Sequence, residues 1–356
     1  MRRQARFENS AILAWARDEG PESLSTGALE STLAPLYERI RVPLGTIPRM
    51  TGIGSRDLYP GDSPPSRGAI LAAGRLMEGS GLSPLEIDLL YSTSVGRDFL
   101  EPSTASVIQA ALGLGPRAQS LDLGSACLGF LDGLALSALQ LENGIIDHAL
   151  VVAGENARRV LTSTVRALLG PGVTLQGFFG HFATLTLGSG GAAMLVGKAE
   201  RYPHSPRMVA MASLTDPASN DLCRGDESGM WTDPAKLLEK GVALAARTFE
   251  EGRLDFGWEP KYFDLVISHQ VSEANTRRFS EALGIPWERI LKTYPQYGNM
   301  GPVAIPFAFD LAFEQGLIRP GSRVALMGIG SGLACSMLEL WVPEGFKGRV
   351  SFQGGA

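Results

Sequence analysis

The sequence predicts an α/β protein in which helices cover a mainly parallel sheet. Residues 87–92 and 263–268 are short, mostly apolar runs of the kind that form buried strands, and each follows a stretch of helical composition. Strands that alternate with helices form sheets covered on both faces. Because 44% of the 356 residues are hydrophobic and 19% are charged, the chain can bury one large or two medium cores.

The first elements can be placed in order. An opening strand is predicted at residues 11–14, and Ser25 is placed to cap a helix that Pro35 would kink or split. Pro and Gly are frequent from 41 to 67, which predicts a loop. The Ala-rich stretch 68–77 then predicts a helix that leads into the first buried strand.

The second half of the chain repeats the pattern of the first. Residues 282–284, for example, echo 111–113, and similar matches recur at an offset of about 170 residues, as expected for an internal repeat. A duplicated α/β unit with an approximate twofold axis explains this pattern. We therefore predict an N-terminal half at 1–200 and a C-terminal half at 201–356, with residues 201–232 as the linker and a surface excursion.

Residues 120–130 combine a short strand, a turn and a helix, and they contain the candidate nucleophile. The small residues 124–126 let the backbone turn sharply, which places Cys127 at a helix N-terminus. The unpaired N–H groups and the dipole of a helix favour a thiolate there. The alternative is a cysteine that is simply buried as a small hydrophobe, which is how we interpret Cys335.

Two further candidates follow from the repeat. Cys127 corresponds to Asn299, and the turn after strand 87–92 corresponds to His269. Residues at equivalent strand ends would meet in one crevice at the carboxyl edge of the sheet. A structural histidine and an ordinary turn asparagine remain the alternatives. The glycine-rich run 328–333 lacks the spacing of a dinucleotide-binding motif, and we interpret it as a close backbone approach that presents an N–H group.

Composition excludes several classes of function. A formal net charge of −5 argues against a nucleic-acid-binding surface. The cysteines Cys127, Cys223 and Cys335 form no CxxC pair, and no histidine lies at ligand spacing, so we expect neither a disulfide framework nor a metal site. A reducing, cytoplasmic setting follows. We find neither a signal peptide nor an apolar run of membrane-spanning length.

Four short motifs carry a family resemblance: Ser-Ala-Cys at 125–127, His-Gln at 269–270, Gly-Asn at 298–299 and Gly-Ile-Gly-Ser-Gly-Leu at 328–333. Together they resemble the Cys-His-Asn ketosynthases of the thiolase superfamily, near ketoacyl-ACP synthase III. Residues 93–106 and 328–337 are similar to OleA-type enzymes of head-to-head hydrocarbon biosynthesis, which join two long-chain acyl-CoA molecules into a 2-alkyl-3-ketoacid. The resemblance implies a thiolase fold with five α-β-α-β-α layers and a homodimer.

The resemblance also implies catalytic roles. Cys127 would take the acyl group, and the backbone N–H groups of Cys127 and Ser331 would hold the oxyanion. His269 and Asn299 would stabilise the enolate of a second acyl-CoA. The base would be Glu101, supplied by the partner subunit, although a solvated loop carboxylate is the alternative for an isolated glutamate. No cofactor is implied beyond coenzyme A or an acyl carrier as part of the substrate.

Several alternatives stay open at this point. A decarboxylating synthase III or a pyrone-forming ketosynthase would require a malonyl or carrier-bound donor, and a non-condensing acyltransferase would make Glu101 dispensable. Arg56 matches an arginine of the family's early Gly-Ile-x-x-Arg segment, or it forms a surface salt bridge. Residues 160–185 would line an acyl channel and the dimer interface, or form plain core. Downstream enzymes that process the unstable ketoacid are implied as partners.

Overall fold

The computed structural model describes residues 4–226 and 229–352. The strands are β1 (Ala5–Arg6), β2 (Ser10–Glu19), β3 (Glu22–Ser25), β4 (Ser55–Leu58), β5 (Leu89–Ser92), β6 (Gln119–Asp122), β7 (His148–Glu155), β8 (Gly190–Lys198), β9 (Arg207–Thr215), β10 (Cys223–Asp226), β11 (Gly229–Thr232), β12 (Leu265–Ser268), β13 (Arg323–Gly330) and β14 (Ala334–Trp341). The helices are α1 (Thr26–Thr32), α2 (Ala34–Ile40), α3 (Thr46–Thr51), α4 (Ser66–Ser80), α5 (Thr104–Ala111), α6 (Gly129–Glu142), α7 (Arg158–Leu169), α8 (Leu175–Gly180), α9 (Pro234–Phe256), α10 (Glu273–Leu283), α11 (Tyr294–Tyr297) and α12 (Ala304–Glu314).

The two halves of the chain share one strand order. The first half is ordered β6-β5-β7-β8-β2 and the second β12-β13-β14-β9, and they are joined by the pairing of Ala11 with Arg207 and by the short pairing of β1 with β9. In the first half, β6 pairs parallel with β5. In the second half, an isolated parallel bridge between Val266 of β12 and Ile290 lies at the equivalent position. The predicted duplication is therefore confirmed. The sheet is mixed rather than mainly parallel, because β8, β14 and β9 pair antiparallel to their neighbours.

Helices and strands form the five layers that the resemblance implied. Helices α4 and α5 cover the outer face of the first half, and α9 and α10 cover the outer face of the second. Helices α6 and α12 lie between the two halves. Side chains alternate along each strand, so Leu89 and Tyr91 point to this central layer with Phe130, while Leu90 points outward to α4. The predicted α-β-α-β-α arrangement is confirmed.

The segment that was predicted to line a channel or form core contains α7 and α8. These helices pack with α1 and α2 around a separate apolar cluster that includes Tyr37, Leu161 and Phe178. The rings of Tyr37 and Phe178 meet edge to face with centroids 5.5 Å apart. This cluster is continuous core within one chain, and the expected acyl channel and dimer interface stay predictions.

Two predictions of irregular structure are wrong. The stretch 41–67 contains α3 and β4, and the predicted linker 201–232 contains β9, which is paired on one side with β14 along its length. The prolines in both stretches favour a prediction of loop. The strands form nevertheless, because they pair with strands far along the chain. The helix prediction near Ser25 is confirmed: its Oγ accepts a hydrogen bond of 3.1 Å from the Ala28 N–H, and α1 and α2 divide beside Pro35.

The longest described helix, α9, is amphipathic. Its buried residues Leu244, Ala245 and Phe249 belong to the outer core of the second half, and its remaining surface carries charged side chains. Within residues 4–226 and 229–352, no helix combines the length and apolarity needed to cross a membrane.

The packing of α4 on β8 depends on two glycines that meet face to face. A Cβ atom at Gly191 would lie 2.0 Å from the carbonyl oxygen of Gly68, well inside contact distance. We expect Gly191→Ala to reduce the free energy of unfolding by about 3 kcal/mol, because the helix backbone must move away. Gly74 lies in α4, and a Cβ atom there would have no atom within 4 Å. Gly74→Ala should therefore stabilise the protein by about 1 kcal/mol. Urea denaturation of both variants measures the free energy of unfolding, and equal changes in the two variants would contradict the prediction.

Candidate active site

The turn that carries Cys127 is built from close backbone contacts. Strand β6 ends at Asp122, and Ala126 adopts a left-handed conformation with φ of 46°, which is strained for a residue with a side chain. A 3₁₀ turn at Ala126–Leu128 then leads directly into α6. Gly129 permits this path, because a Cβ atom there would lie 2.6 Å from the Thr93 carbonyl oxygen. Cys127 therefore sits immediately before a helix N-terminus, as predicted.

The prediction of a thiolate at Cys127 is wrong for the unliganded protein. Burial raises the pKa of Cys127 to about 12, with smaller contributions from Cys223 and Glu155. Loss of hydration outweighs the favourable end of the helix, and the Glu155 carboxylate further opposes a negative charge on the sulfur. Cys127 is therefore a neutral thiol in the unliganded protein, and a reaction as nucleophile would require it to lose its proton.

His269 and Asn299 form a hydrogen-bonded pair. His269 follows β12 directly, and its backbone N–H donates to the Met327 carbonyl on the neighbouring strand at 2.8 Å. Its Nε2 lies 3.1 Å from Oδ1 of Asn299. Burial lowers the pKa of His269 to about 4, although the bond to Asn299 opposes this shift. The imidazole is therefore neutral at physiological pH.

The hydrogen bonds define the orientation of the Asn299 amide. The backbone N–H of Gly301 can only donate, and it lies 3.0 Å from Oδ1 of Asn299, so this atom is the oxygen. His269 must then donate from Nε2 to the same oxygen. Among the residues that the structure describes, Nδ2 of Asn299 makes no hydrogen bond, which leaves the amide donors free for a ligand oxygen.

The backbone of Asn299 is clamped to the segment that precedes β8. Its N–H donates to the Thr186 carbonyl at 2.8 Å, and its carbonyl accepts from the Gly188 N–H at 2.9 Å. Gly298 precedes it at φ of 66°, and a Cβ atom there would lie 2.6 Å from the Thr186 oxygen. The side chain is therefore presented from a rigid loop, which suits a group that must hold a fixed position.

The glycine-rich end of β13 lies against the nucleophile turn. A Cβ atom at Gly328 would be 2.6 Å from Cδ2 of Leu128, and one at Gly330 would be 3.4 Å from the Leu128 nitrogen. The predicted close backbone approach is thus observed. Ser331 follows immediately, is partly buried, and its N–H makes no backbone hydrogen bond among the described residues. This N–H is available to an oxyanion.

Four of the predicted site residues meet at one edge of the sheet. The turn of Cys127 packs on the end of β13 and on the 3₁₀ turn Gly301–Val303 that follows Asn299, and His269 directly follows β12, the strand beside β13. Cys127, His269, Asn299 and Ser331 therefore lie on neighbouring elements at one edge of the sheet, where the repeat places Cys127, His269 and Asn299. An acyl thioester held there would face a thiol, a neutral imidazole, a free amide and an unpaired backbone N–H.

Glu101 lies outside the crevice of its own chain. It is exposed on the loop between β5 and α5, next to Leu100, which is 95% exposed. Phe99 is also more than half exposed. The loop ends at Ser103, whose Oγ caps α5 by accepting from the Ser106 N–H at 3.2 Å. A single chain therefore does not bring Glu101 to Cys127.

Arg56 is neither on the surface nor ion-paired in the described part of the chain, so the salt-bridge interpretation is wrong. Its guanidinium is fully buried and donates to the Leu185 carbonyl and, at 2.6 Å, to Oγ1 of Thr26. Burial lowers its pKa to about 10. Arg56 thus ties β4 to α1 and to the segment before β8.

Sequence reasoning missed Glu155 at the end of β7. Its carboxylate accepts from the Val95 N–H at 2.5 Å, and burial raises its pKa to about 7. A signal was present, because a lone acidic residue at the end of a long apolar strand stands at the edge of the sheet where ligands bind.

The described residues contain no group of side chains that could hold a metal ion. The cysteines Cys127, Cys223 and Cys335 are free, and no three His, Cys, Asp or Glu side chains in residues 4–226 and 229–352 are grouped as metal ligands.

Residues 255–340 match the family model for the C-terminal part of 3-oxoacyl-[acyl-carrier-protein] synthase III. The whole chain is 36% identical to the acyl-CoA:acyl-CoA alkyltransferase of Xanthomonas campestris, over 94% of this chain and 99% of that protein. The enzyme of the same name from Shewanella oneidensis is also 36% identical, with the same two coverages. A β-ketoacyl-[acyl-carrier-protein] synthase III of Streptomyces coelicolor is 30% identical over 90% of this chain and 93% of that protein.

Solved structures give the same result. Cerulenin-bound OleA of Xanthomonas campestris superimposes with a TM-score of 0.92 at 36% identity, covering 94% of this chain and 98% of that chain. Other OleA structures contain replacements of a cysteine, a glutamate or a histidine, and one holds lauric acid and lauroyl-CoA. The chain belongs to the thiolase superfamily of condensing enzymes and, within it, to the family of OleA-type acyl-CoA:acyl-CoA alkyltransferases.

Proposed function

We propose that this enzyme joins two long-chain acyl-CoA thioesters, without decarboxylation, into a 2-alkyl-3-ketoacid through an acyl-cysteine intermediate. The observation that carries the proposal is the likeness to OleA over nearly the whole chain. The glutamate, cysteine and histidine replaced in the OleA structures are separated along that chain by the same numbers of residues as Glu101, Cys127 and His269 are here. This spacing supports the same assignment of residues.

In the first half-reaction, the sulfur of Cys127 attacks the thioester carbonyl of one acyl-CoA. Backbone N–H groups of Cys127 and Ser331 stabilise the tetrahedral oxyanion. The C–S bond to coenzyme A then breaks, and the proton lost from the thiol leaves with coenzyme A as its free thiol. Because His269 is neutral and already donates from Nε2, it is a poor acceptor for this proton.

In the second half-reaction, a base removes the α-proton of the other acyl-CoA. The enolate oxygen accepts hydrogen bonds from the free Asn299 amide and from Nε2 of His269, which turns from Oδ1 to the substrate. The α-carbon attacks the acyl-cysteine carbonyl, and the new C–C bond displaces the sulfur of Cys127. Hydrolysis of the remaining thioester yields the ketoacid and a second free coenzyme A.

The base is Glu101 of the partner subunit in a homodimer. Glu101 lies at the tip of an apolar exposed loop with Phe99 and Leu100, which a second subunit would remove from water. The sheet also ends at β6, whose Leu121 is half exposed and whose outer edge is unpaired among the described strands. A twofold interface at this edge would exchange the two loops between the subunits.

A second candidate function is decarboxylating condensation, which the match to synthase III favours. That reaction generates the carbanion by loss of carbon dioxide from a malonyl donor, so it needs no carboxylate base. We further propose a cytoplasmic location, consistent with three free cysteines, and a downstream enzyme class that consumes β-ketoacids. No cofactor is needed for the steps above, because thioester and side chains supply all the reacting groups.

Incubation with a long-chain acyl-CoA alone tests the proposal. Wild type should acquire the mass of one acyl group on Cys127 and release a ketoacid that loses carbon dioxide on heating to give a ketone. Cys127→Ala should show neither product, because the proposed nucleophile is absent. Intact-protein mass spectrometry and product analysis measure both steps. A wild-type enzyme that condenses only after a malonyl donor is added would establish the second candidate instead.

A further inference from the structure

Glu155 is a carboxylate of the active-site region that the proposed reaction does not use. Its Oε1 accepts from the Val95 N–H at 2.5 Å, and the Gly96 backbone also hydrogen-bonds to the carboxylate. Among the described residues, no lysine or arginine forms an ion pair with it. A half-buried carboxylate that binds two adjacent backbone N–H groups, at the edge of the sheet where ligands bind, points to a function.

The loop held by Glu155 has a second attachment a few residues later. Asp98 accepts from the Ser66 hydroxyl at 2.6 Å and from the Ser66 N–H at 3.0 Å, at the start of α4. Gly96 lies against the helix start as well, since a Cβ atom there would be 2.9 Å from Cγ of Pro65. Residues 95–98 are therefore attached to β7 and to α4.

Directly after these attachments the loop projects from the surface of the protein. Phe99 and Leu100 are exposed, and Glu101 follows them. The direction of this tip is set by residues 95–98, which begin at the turn that the Glu155 carboxylate holds and end at the attachment of Asp98 to Ser66. Two oxygens with several lone pairs suit two adjacent backbone N–H groups, and bonds to a charged acceptor are stronger than neutral ones.

We propose that Glu155 is a positioning residue for condensation, which holds the turn at Val95 and Gly96 and thereby places Glu101 in the active site of the partner subunit. The inference rests on the proposed function, in which Glu101 acts across the dimer. Glu155 contributes to the reaction of the partner subunit, whereas Cys127 beside it serves its own.

Substitutions at Glu155 separate positioning from proton transfer. Glu155→Ala should keep acylation of Cys127 but lose at least about 10-fold in condensation, since small displacements of a catalytic group have effects of this size. Glu155→Gln should lose clearly less condensation than Glu155→Ala, because its amide oxygen still accepts a backbone bond from the turn. Single-turnover acylation and steady-state product formation measure the two steps. An equal loss in both variants would overturn the proposal, since it would require an ionisable group.

Mixed dimers show across which interface Glu155 acts. We would purify, through two affinity tags, dimers of one Glu155→Ala subunit and one Cys127→Ala subunit. The remaining nucleophile lies in the Glu155→Ala subunit, but the loop that reaches it comes from the subunit with an intact Glu155. Positioning across the interface predicts about half the wild-type condensation rate, because one of two equivalent sites is complete. A rate as low as that of the Glu155→Ala homodimer would overturn it.

A parallel mixed dimer separates this inference from the function on which it rests. Dimers of a Glu101→Ala subunit and a Cys127→Ala subunit should also recover about half the wild-type rate, since their one complete site has both groups. If this pair stays inactive, the action of Glu101 across the dimer is refuted. If this pair recovers and the Glu155 pair does not, only the role of Glu155 is refuted.

Discussion

Replacement of Glu101 by alanine should leave an enzyme that takes up one acyl group on Cys127 and then stops. Condensation should fall by about 10³-fold, within the range that a positioned general base supplies. The acylation step needs no α-proton removal, so its rate should be unchanged. Intact-protein mass spectrometry would then show a stable acyl-enzyme, and product analysis would show almost no ketone.

Glu78→Ala provides a matched control for this experiment. Glu78 is an exposed glutamate on α4, and no hydrogen bond or ion pair of its side chain is found in the described structure. Its removal should change neither acylation nor condensation. If Glu101→Ala condensed acyl-CoA at the wild-type rate, the base would have to be another group. If it failed to become acylated, Glu101 would have a part in the first half-reaction.

Replacement of His269 or Asn299 by alanine should slow condensation by about 10²- to 10³-fold each, as for the loss of one oxyanion donor. The two effects should not multiply in the double variant, because the residues share the bond between Nε2 and Oδ1. Cys127 should still become acylated in all three variants, since its oxyanion is assigned to backbone N–H groups. Pre-steady-state acylation and steady-state product formation give the two rates.

Asn299→Asp is the sharper variant at this position. It keeps an oxygen for the Gly301 N–H and for His269, so the loop should stay in place. It replaces the free amide donors with a second oxygen, which cannot donate to an enolate and repels its charge. We expect a loss at least as large as in Asn299→Ala. Retained condensation would show that the amide is not an enolate donor.

The convergence of the candidate site could be predicted from sequence because it follows from topology. Equivalent strands of a duplicated unit end at the same edge of the sheet, so Cys127, His269 and Asn299 could be placed together without knowing any distance. The turn that carries Cys127 could also be predicted, because its signal is local: small residues precede Cys127 and a clear helix pattern follows it. The direction of the Asn299 amide was not predictable, because it depends on the N–H of Gly301 and on the tautomer of His269.

Other features were outside the reach of local patterns. Strand β9 lies in a stretch rich in proline, and its assignment comes from pairing with β14 more than a hundred residues away. The thiol state of Cys127 was mispredicted for a similar reason. The helix end that favours a thiolate is visible in sequence, whereas the burial that outweighs it and the nearness of Glu155 arise from elements far along the chain.

The sequence by itself determined the α/β class, the duplication and the candidates for the reacting side chains, because periodicity, repeats and short motifs are local properties of the chain. Only the tertiary structure decided which groups are charged, which donors are free and where Glu101 points. Glu101 is exposed beside Leu100, while Cys127 is half-buried at the edge of the sheet of the same chain. Burial and hydrogen bonding depend on contacts between distant segments, and a one-dimensional pattern does not contain them.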